Sequence, residues 1–112
     1  MVAMRTSDQP FSDVRILDFS QVLAGPFAVM QLALLGADVI KVEQPLTGDS
    51  TRGLMNEGKD ESMSPSFMAM NLNKKSLTLN LKQPDAIEII SRLMPTLTSA
   101  TPKKLQRKPD TR

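Results

Sequence analysis

Blocks of apolar residues in the first half of the chain predict a strand, a helix and a second strand. Val14–Phe19 is mostly apolar and partly β-branched, which is typical of a short buried strand. Phe27–Leu35 is apolar nearly all round, so we expect a helix buried on most sides. Gly25 is the predicted N-cap of this helix and Gly36 its stop signal. Val39–Val42 then predicts a second buried strand.

The second half begins with a polar loop over residues 44–64, followed by a short helix over Pro65–Asn71. Ser76–Lys82 alternates between apolar and polar residues, which predicts a third strand with one wetter face. Pro84 suits the first turn of a last helix, which Pro95 ends. The apolar stripe of that helix consists of Ala86, Ile89, Ile90 and Leu93.

Strands alternating with helices predict an α/β fold, with a Rossmann-like parallel sheet and crossover helices. We expect residues 1–11 to form a flexible leader, residues 12–96 the folded part and residues 97–112 a disordered tail. The tail carries five basic residues and one acid, whereas the rest of the chain carries nine basic and eleven acidic residues. The basic pI therefore reflects the tail and says little about what the folded part binds.

Several kinds of chemistry are excluded or disfavoured by composition. The chain has no cysteine, so it can form neither a disulfide nor a thiolate. It also has no histidine, which is the commonest general base in enzymes. The glycine patterns of dinucleotide and P-loop sites are absent, and we expect no metal site. No signal peptide or membrane-spanning stretch is evident, so we expect a cytoplasmic or mitochondrial protein that does not enter the membrane.

Four segments are candidates for chemistry, and each has a plainer interpretation. The turn at residues 21–26 is either an anion site at a helix N-terminus or a simple connection. Glu43 is either a ribose acceptor at a strand end or a solvated strand end. Asn73–Lys75 either neutralises phosphate or solvates a loop. Asp49–Gly53 is either an anion site or a turn held by side-chain-to-backbone hydrogen bonds.

The order and spacing of three longer segments resemble a known family. These segments are VRILDFSQVLAGPF at 14–27, LGADVIKVEQPLTGDSTRG at 35–53 and NLNKKSLTLNLKQP at 71–84. Over about residues 12–96 they are similar to the family III CoA-transferases, also called the CaiB/BaiF family, which include formyl-CoA transferase and α-methylacyl-CoA racemase. The resemblance implies that the chain is an incomplete part of the large domain of such an enzyme.

The resemblance implies a homodimeric enzyme that moves CoA from an acyl-CoA donor to a carboxylic acid acceptor, with no metal. One alternative is an enzyme like the racemase, and another is a non-catalytic module that binds a nucleotide or CoA. A nucleic-acid binder acting through the basic tail is disfavoured, because the tail has no aromatic residues to stack on bases.

The resemblance also assigns the coenzyme contacts residue by residue. Two positions depart from the family pattern: Gln44 stands where an arginine is frequent, which removes a cation and a stacking plane, and Asn80 stands where the family has aspartate. We expect the segments 22–24 and 79–82 to lie side by side as a cradle for the nucleotide end of CoA. The full set of expected contacts is Val22, Leu23, Ala24, Gln44, Leu79, Asn80, Leu81 and Lys82.

No catalytic residue is assigned. In the family, an aspartate attacks the thioester and forms an anhydride and then an aspartyl-CoA thioester, which is covalent catalysis by a carboxylate. That aspartate lies downstream of the region of resemblance, and residues 97–112 depart from the family pattern. We therefore expect a truncated chain that is inactive alone.

Overall fold

The computed structural model describes residues 8–54 and 64–97. Most of the expected leader, most of the tail and the second half of the long loop lie outside these residues. Among the residues described, no helix is long and apolar enough to cross a bilayer. The elements are β1 (Arg15–Asp18), α1 (Ala24–Leu34), β2 (Asp38–Glu43), a 3₁₀ turn (Ser50–Gly53), α2 (Pro65–Met70), β3 (Lys74–Thr78), α3 (Pro84–Leu93) and a second 3₁₀ turn (Met94–Thr96).

The three strands form one parallel sheet in the order β1-β2-β3, which confirms the predicted α/β fold. β2 lies in the centre, and its Ile40 pairs with Leu17 on one side and Lys75 on the other. The predicted bounds of the third strand are wrong, because the pairing begins at Lys74 and ends at Thr78. Leu79 still donates its backbone N–H to the Glu43 carbonyl at 2.9 Å and is buried, but the chain then turns.

Helix α1 ends as predicted at Gly36, whose φ of +107° is easily reached by glycine. The Gly36 and Ala37 N–H groups donate to the carbonyls of Ala33 and Leu32 at 3.1 and 3.0 Å, which is a Schellman motif. The predicted start is wrong, because Gly25 lies inside the helix instead of capping it.

A packing requirement explains the glycine at position 25. A Cβ atom at Gly25 would lie 2.6 Å from the Cβ of Ser20, so a larger residue would push helix α1 away from the end of β1. The glycine therefore serves the close approach of helix and turn, and not the N-cap.

The core lies on both faces of the sheet. On one face Leu17, Val42, Leu79 and Ala86 form a buried cluster, which brings α3 onto the sheet. On the other face Ala33, Ala37 and Val39 form a second cluster beneath α1. These clusters follow from the alternation of side chains along the strands, since Leu17 and Val42 point to the opposite side from Val39.

The two longest helices are less buried than predicted. Met30 and Ala33 of α1 are buried, but Phe27 is 48% exposed and Leu34 is 40% exposed. In α3, Ala86 is buried as expected, whereas Ile89 of the predicted stripe is 39% exposed. Both helices thus present apolar surface that the described residues of this chain do not cover.

Candidate functional site at the carboxyl end of the sheet

The face of the sheet that packs against α1 changes character towards the carboxyl ends of the strands. Val39 near the start of β2 is fully buried among apolar residues, but Lys41 and Glu43 on the same face are also buried. Asp18 of β1 is buried beside them. Buried charges are costly unless they are paired and hydrogen-bonded, and each of these side chains has its partner.

Lys41 and Asp49 form an ion pair that is almost completely buried. Nζ lies 2.9 Å from Oδ2, and the two side chains are 1% and 0% exposed. Lys41 also donates to the Ser20 carbonyl at 2.7 Å, while Asp49 accepts from the backbone N–H and hydroxyl of Thr51 at 2.9 and 2.8 Å. Burial raises the pKa of Asp49, but the Thr51 and Lys41 hydrogen bonds outweigh it, so the pKa lies below its usual range.

The same carboxylate reaches the turn between β1 and α1. The Val22 backbone N–H lies 3.4 Å from each Asp49 carboxylate oxygen. Val22 has a φ of +75°, in the left-handed region that β-branched residues rarely occupy. The Lys41–Asp49 pair therefore contacts this turn twice, at the Ser20 carbonyl and at the Val22 N–H.

Buried Glu43 and partly buried Arg52 form a second ion pair, with Arg52 Nε and Nη2 donating to the two carboxylate oxygens at 2.7 and 2.8 Å. Ser76 Oγ and the Asp49 N–H also donate to this carboxylate. Burial acts to raise the pKa of Glu43, but the hydrogen bonds from Arg52, Ser76 and Asp49 outweigh it and lower the pKa to about 2. The hydrogen bond to Glu43 in turn raises the pKa of Arg52.

These contacts decide between the interpretations of two candidate segments. Glu43 is neither a solvated strand end nor a carboxylate open to a ribose, because its oxygens are engaged inside the protein. The 49–53 segment is a turn held by a side-chain-to-backbone hydrogen bond, in which the Asp49 carboxylate accepts from the Thr51 N–H. Arg52 is committed to Glu43 and stacks 3.6 Å above the centre of the Phe67 ring.

A third pair links the last residue of β1 to the first residue of β3. Lys74 Nζ lies 2.9 Å from Asp18 Oδ2, and it also donates to the Pro26 carbonyl and Asn71 Oδ1 at 2.9 and 3.0 Å. Burial lowers the pKa of Lys74 although Asp18 opposes that shift. Both interpretations of the 73–75 segment are therefore wrong for Lys74, which is a buried structural cation. Lys75 is exposed and pairs with Asp38 at 3.0 Å.

Five of the eight expected coenzyme contacts lie around one cavity of about 170 Å³, at the carboxyl ends of β2 and β3. The Gln44 side chain is held there by donating to Thr47 Oγ1 at 2.7 Å. Asn80 Oδ1 accepts from the Lys82 N–H at 3.1 Å, so this side chain shapes the turn that follows β3. The residues lining the cavity are Phe19, Gln21, Val42, Glu43, Gln44, Leu79, Asn80, Leu81 and Lys82.

The other expected contacts lie nearby but not around that cavity. Val22 and Leu23 line a separate, largely apolar cavity of about 440 Å³ that α2 closes on one side. Ala24 is the first residue of α1. Gln21, directly before Val22, lines the smaller cavity, so the β1–α1 turn borders both.

Phe19 was not predicted as a site residue, and Gln21 was predicted only as part of the 21–26 turn and not as a coenzyme contact. The signal of Phe19 in the sequence is positional, because it directly follows the first strand, where parallel sheets bind ligands. Within residues 8–54 and 64–97, no group of three or more potential metal ligands occurs.

Two curated CoA-transferases are similar in sequence to this chain over most of its length. Succinyl-CoA:glutarate CoA-transferase from Mus musculus is 47% identical over 87 residues, which cover 78% of this chain and 20% of that protein. Formyl-CoA:oxalate CoA-transferase from Rhodopseudomonas palustris strain HaA2 is 48% identical over 82 residues, covering 72% of this chain and 19% of that protein. The chain thus spans about 20% of the length of these curated relatives.

Solved structures share the fold. A hypothetical protein from Mycobacterium tuberculosis superposes with a TM-score of 0.68 at 37% identity, covering 80% of this chain and 23% of that one. A CaiB/BaiF family protein from Brucella suis gives a TM-score of 0.68 at 34% identity, over 76% of this chain and 23% of that one. The family model of CoA-transferase family III matches residues 11–96. By this match over most of its length, the chain belongs to CoA-transferase family III.

Proposed function

We propose that this chain supplies part of the CoA-binding surface of a family III CoA-transferase, and that the small cavity at the carboxyl ends of β2 and β3 receives the nucleotide end of CoA. One observation carries the proposal: Gln44 and the 79–82 segment, assigned to the coenzyme by family resemblance and far apart in sequence, line the same cavity. In open parallel sheets, ligands bind beyond this edge of the strands.

The chemistry of the cavity suits a nucleotide. Phe19 is 37% exposed and Leu81 is 51% exposed, so both offer apolar surface to a base. Lys82 adds a cation for phosphate, and its side chain is exposed at the rim. Gln44 provides a polar edge without a charge, which predicts weaker binding than an arginine would give at this position.

For the whole protein we propose transfer of CoA from an acyl-CoA to a small carboxylic acid, acting as a homodimer. The relatives named above are CoA-transferases for the pairs succinyl-CoA and glutarate, and formyl-CoA and oxalate, which favours a transferase over a racemase. The uncovered apolar faces of α1 and α3 suit packing against further protein of the same enzyme.

We propose that the 112-residue chain binds CoA without turning over its thioesters. Asp18 and Asp49 are buried and ion-paired with lysines, so their carboxylates are not available to attack a substrate. Asp38 is engaged by Arg15 and Lys75. Release of CoA from succinyl-CoA by the purified chain, measured as free thiol, would contradict this part of the proposal.

The binding site is tested by calorimetric titration with CoA and with adenosine 3′,5′-bisphosphate, its nucleotide end. Both ligands are expected to bind and to compete. Lys82→Ala should weaken binding about fivefold, since a charge-assisted contact to phosphate contributes about 1 kcal/mol. Lys75→Ala is the matched control, because Lys75 is equally a lysine on the surface but lies near the start of β3.

Gln44→Arg provides a test by gain of affinity. The substitution restores the cation and the stacking plane that the family often carries, so CoA should bind about fivefold more tightly. Absence of CoA binding by the unmodified chain would refute the proposed site. Equal effects of Lys82→Ala and Lys75→Ala would refute its location.

A further inference from the structure

The turn between β1 and α1 contains a backbone conformation that its own residue does not favour. Val22 has a φ of +75°, and it is neither glycine nor asparagine. In the left-handed region the Cβ atom of a β-branched residue crowds the backbone, so Val22 adopts this conformation only if neighbouring groups hold it there.

The Lys41–Asp49 pair supplies that restraint. Asp49 accepts from the Val22 N–H through both carboxylate oxygens, and Lys41 donates to the Ser20 carbonyl, so the pair holds the chain on both sides of Gln21. The two side chains are 1% and 0% exposed, which prevents water from competing for these contacts. The restraint is therefore built into the core, beneath the turn.

The conformation of Val22 determines which cavity each neighbouring side chain enters. Gln21 lines the small cavity proposed for the nucleotide, whereas Val22 and Leu23 line the larger apolar cavity. A change of φ at Val22 would redirect the chain between these positions. Gln21 would then no longer face the small cavity while Leu23 faces the larger one.

We propose that Lys41 and Asp49 are positioning residues for CoA binding, which hold Val22 in the left-handed conformation so that the β1–α1 turn borders both cavities. This inference rests on the proposed function of the site. According to this inference, a buried pair that does not touch the ligand controls the shape of the surface that contacts the ligand.

A double-mutant cycle tests the coupling between the pair and the backbone. Asp49→Asn should weaken CoA binding about tenfold when residue 22 is valine. The substitution weakens the restraint on Val22, and valine then returns to the negative φ values that it favours. In the Val22→Gly background the same substitution should weaken binding less than about twofold, since glycine reaches positive φ without penalty. If Asp49→Asn acts only by loosening the fold in general, CoA affinity should fall by the same factor in both backgrounds. That result would overturn the inference.

Two further variants keep the test decisive if Asp49→Asn does not fold. Val22→Pro keeps the Lys41–Asp49 ion pair but removes the Val22 N–H that Asp49 accepts and fixes φ near −65°, so CoA affinity should fall more than about tenfold while circular dichroism stays native. Unchanged affinity of Val22→Pro would overturn the inference. Asn73→Gly is the matched control, because Asn73 has a φ of +63°, is exposed and lines neither of the two cavities, and it should leave CoA affinity unchanged.

The outcomes separate this inference from the proposed function. If the unmodified chain does not bind CoA, the proposed function fails. If the unmodified chain binds CoA but Asp49→Asn and Val22→Gly act independently, only the positioning role fails.

Discussion

Replacing Glu43 by glutamine tests the buried ion pairs most directly. The substitution keeps the shape of the side chain but removes the charge that Arg52 contacts through two hydrogen bonds of 2.7 and 2.8 Å. Arg52 would then remain 18% exposed, with its strongest partner lost. We expect Glu43→Gln to destabilise the fold substantially at neutral pH.

The magnitude follows from the pKa of Glu43, which falls from 4.5 to about 2 on folding. Each unit of this difference corresponds to about 1.4 kcal/mol, so the ionised carboxylate contributes about 3 kcal/mol to the free energy of unfolding at neutral pH. Because the folded-state pKa is lowered, the contribution is fully present above pH 4.5 and is lost as the pH falls towards about 2.

The assay is urea unfolding of the unmodified chain and of Glu43→Gln over a series of pH values. The difference between their free energies of unfolding should be about 3 kcal/mol at neutral pH and should shrink as acid protonates Glu43. Glu88→Gln is the matched control, because Glu88 pairs with Arg92 on the exposed face of α3 and should contribute less than about 0.5 kcal/mol. A difference that does not vary with pH, or that equals the control, would refute the reasoning.

Two other predictions concern the same fold. Lys74→Met should destabilise it by about 3 kcal/mol in urea, because it leaves Asp18 buried without its cation, whereas Lys75→Met should change stability by less than about 0.5 kcal/mol. Equal effects of the two lysine substitutions would show that burial does not decide the strength of these pairs. Gly36→Ala should lower the melting temperature through a cost of about 1 kcal/mol or more at positive φ, while Gly53→Ala, whose added Cβ would have no atom of the described residues within 4 Å, should be close to neutral. A neutral Gly36→Ala would contradict the assignment of the helix stop.

The sequence predicts the sheet and helices well where local pattern decides them. β2 is a run of buried residues between a helix stop and a polar loop, and both signals are local. The third strand ends earlier in the sequence than predicted. The alternation of its leucines continues to Leu81, but the pairing with β2 ends at Thr78. Hydrogen bonding to a neighbour decides where a strand stops, and that neighbour is not visible in the pattern of one segment.

The candidate site could be predicted only in part for the same reason. The family resemblance selects Gln44 and the 79–82 segment, and the structure brings them around one cavity. The roles of Lys41 and Lys74 could not be read from their neighbours in sequence, because their partners Asp49 and Asp18 come close only after the strands pair. Single-sequence patterns treat both lysines as surface residues, and the fold makes them interior ones.

The strand order has a kinetic consequence. Among the described strands, β2 pairs with β1 and β3 pairs with β2, so neither parallel pairing skips over another described strand. Short closures cost less chain entropy than distant ones and favour rapid folding. During synthesis on the ribosome, β2 can therefore dock on β1 before β3 has emerged, and the sheet grows outwards from its amino-terminal edge as the nascent chain lengthens.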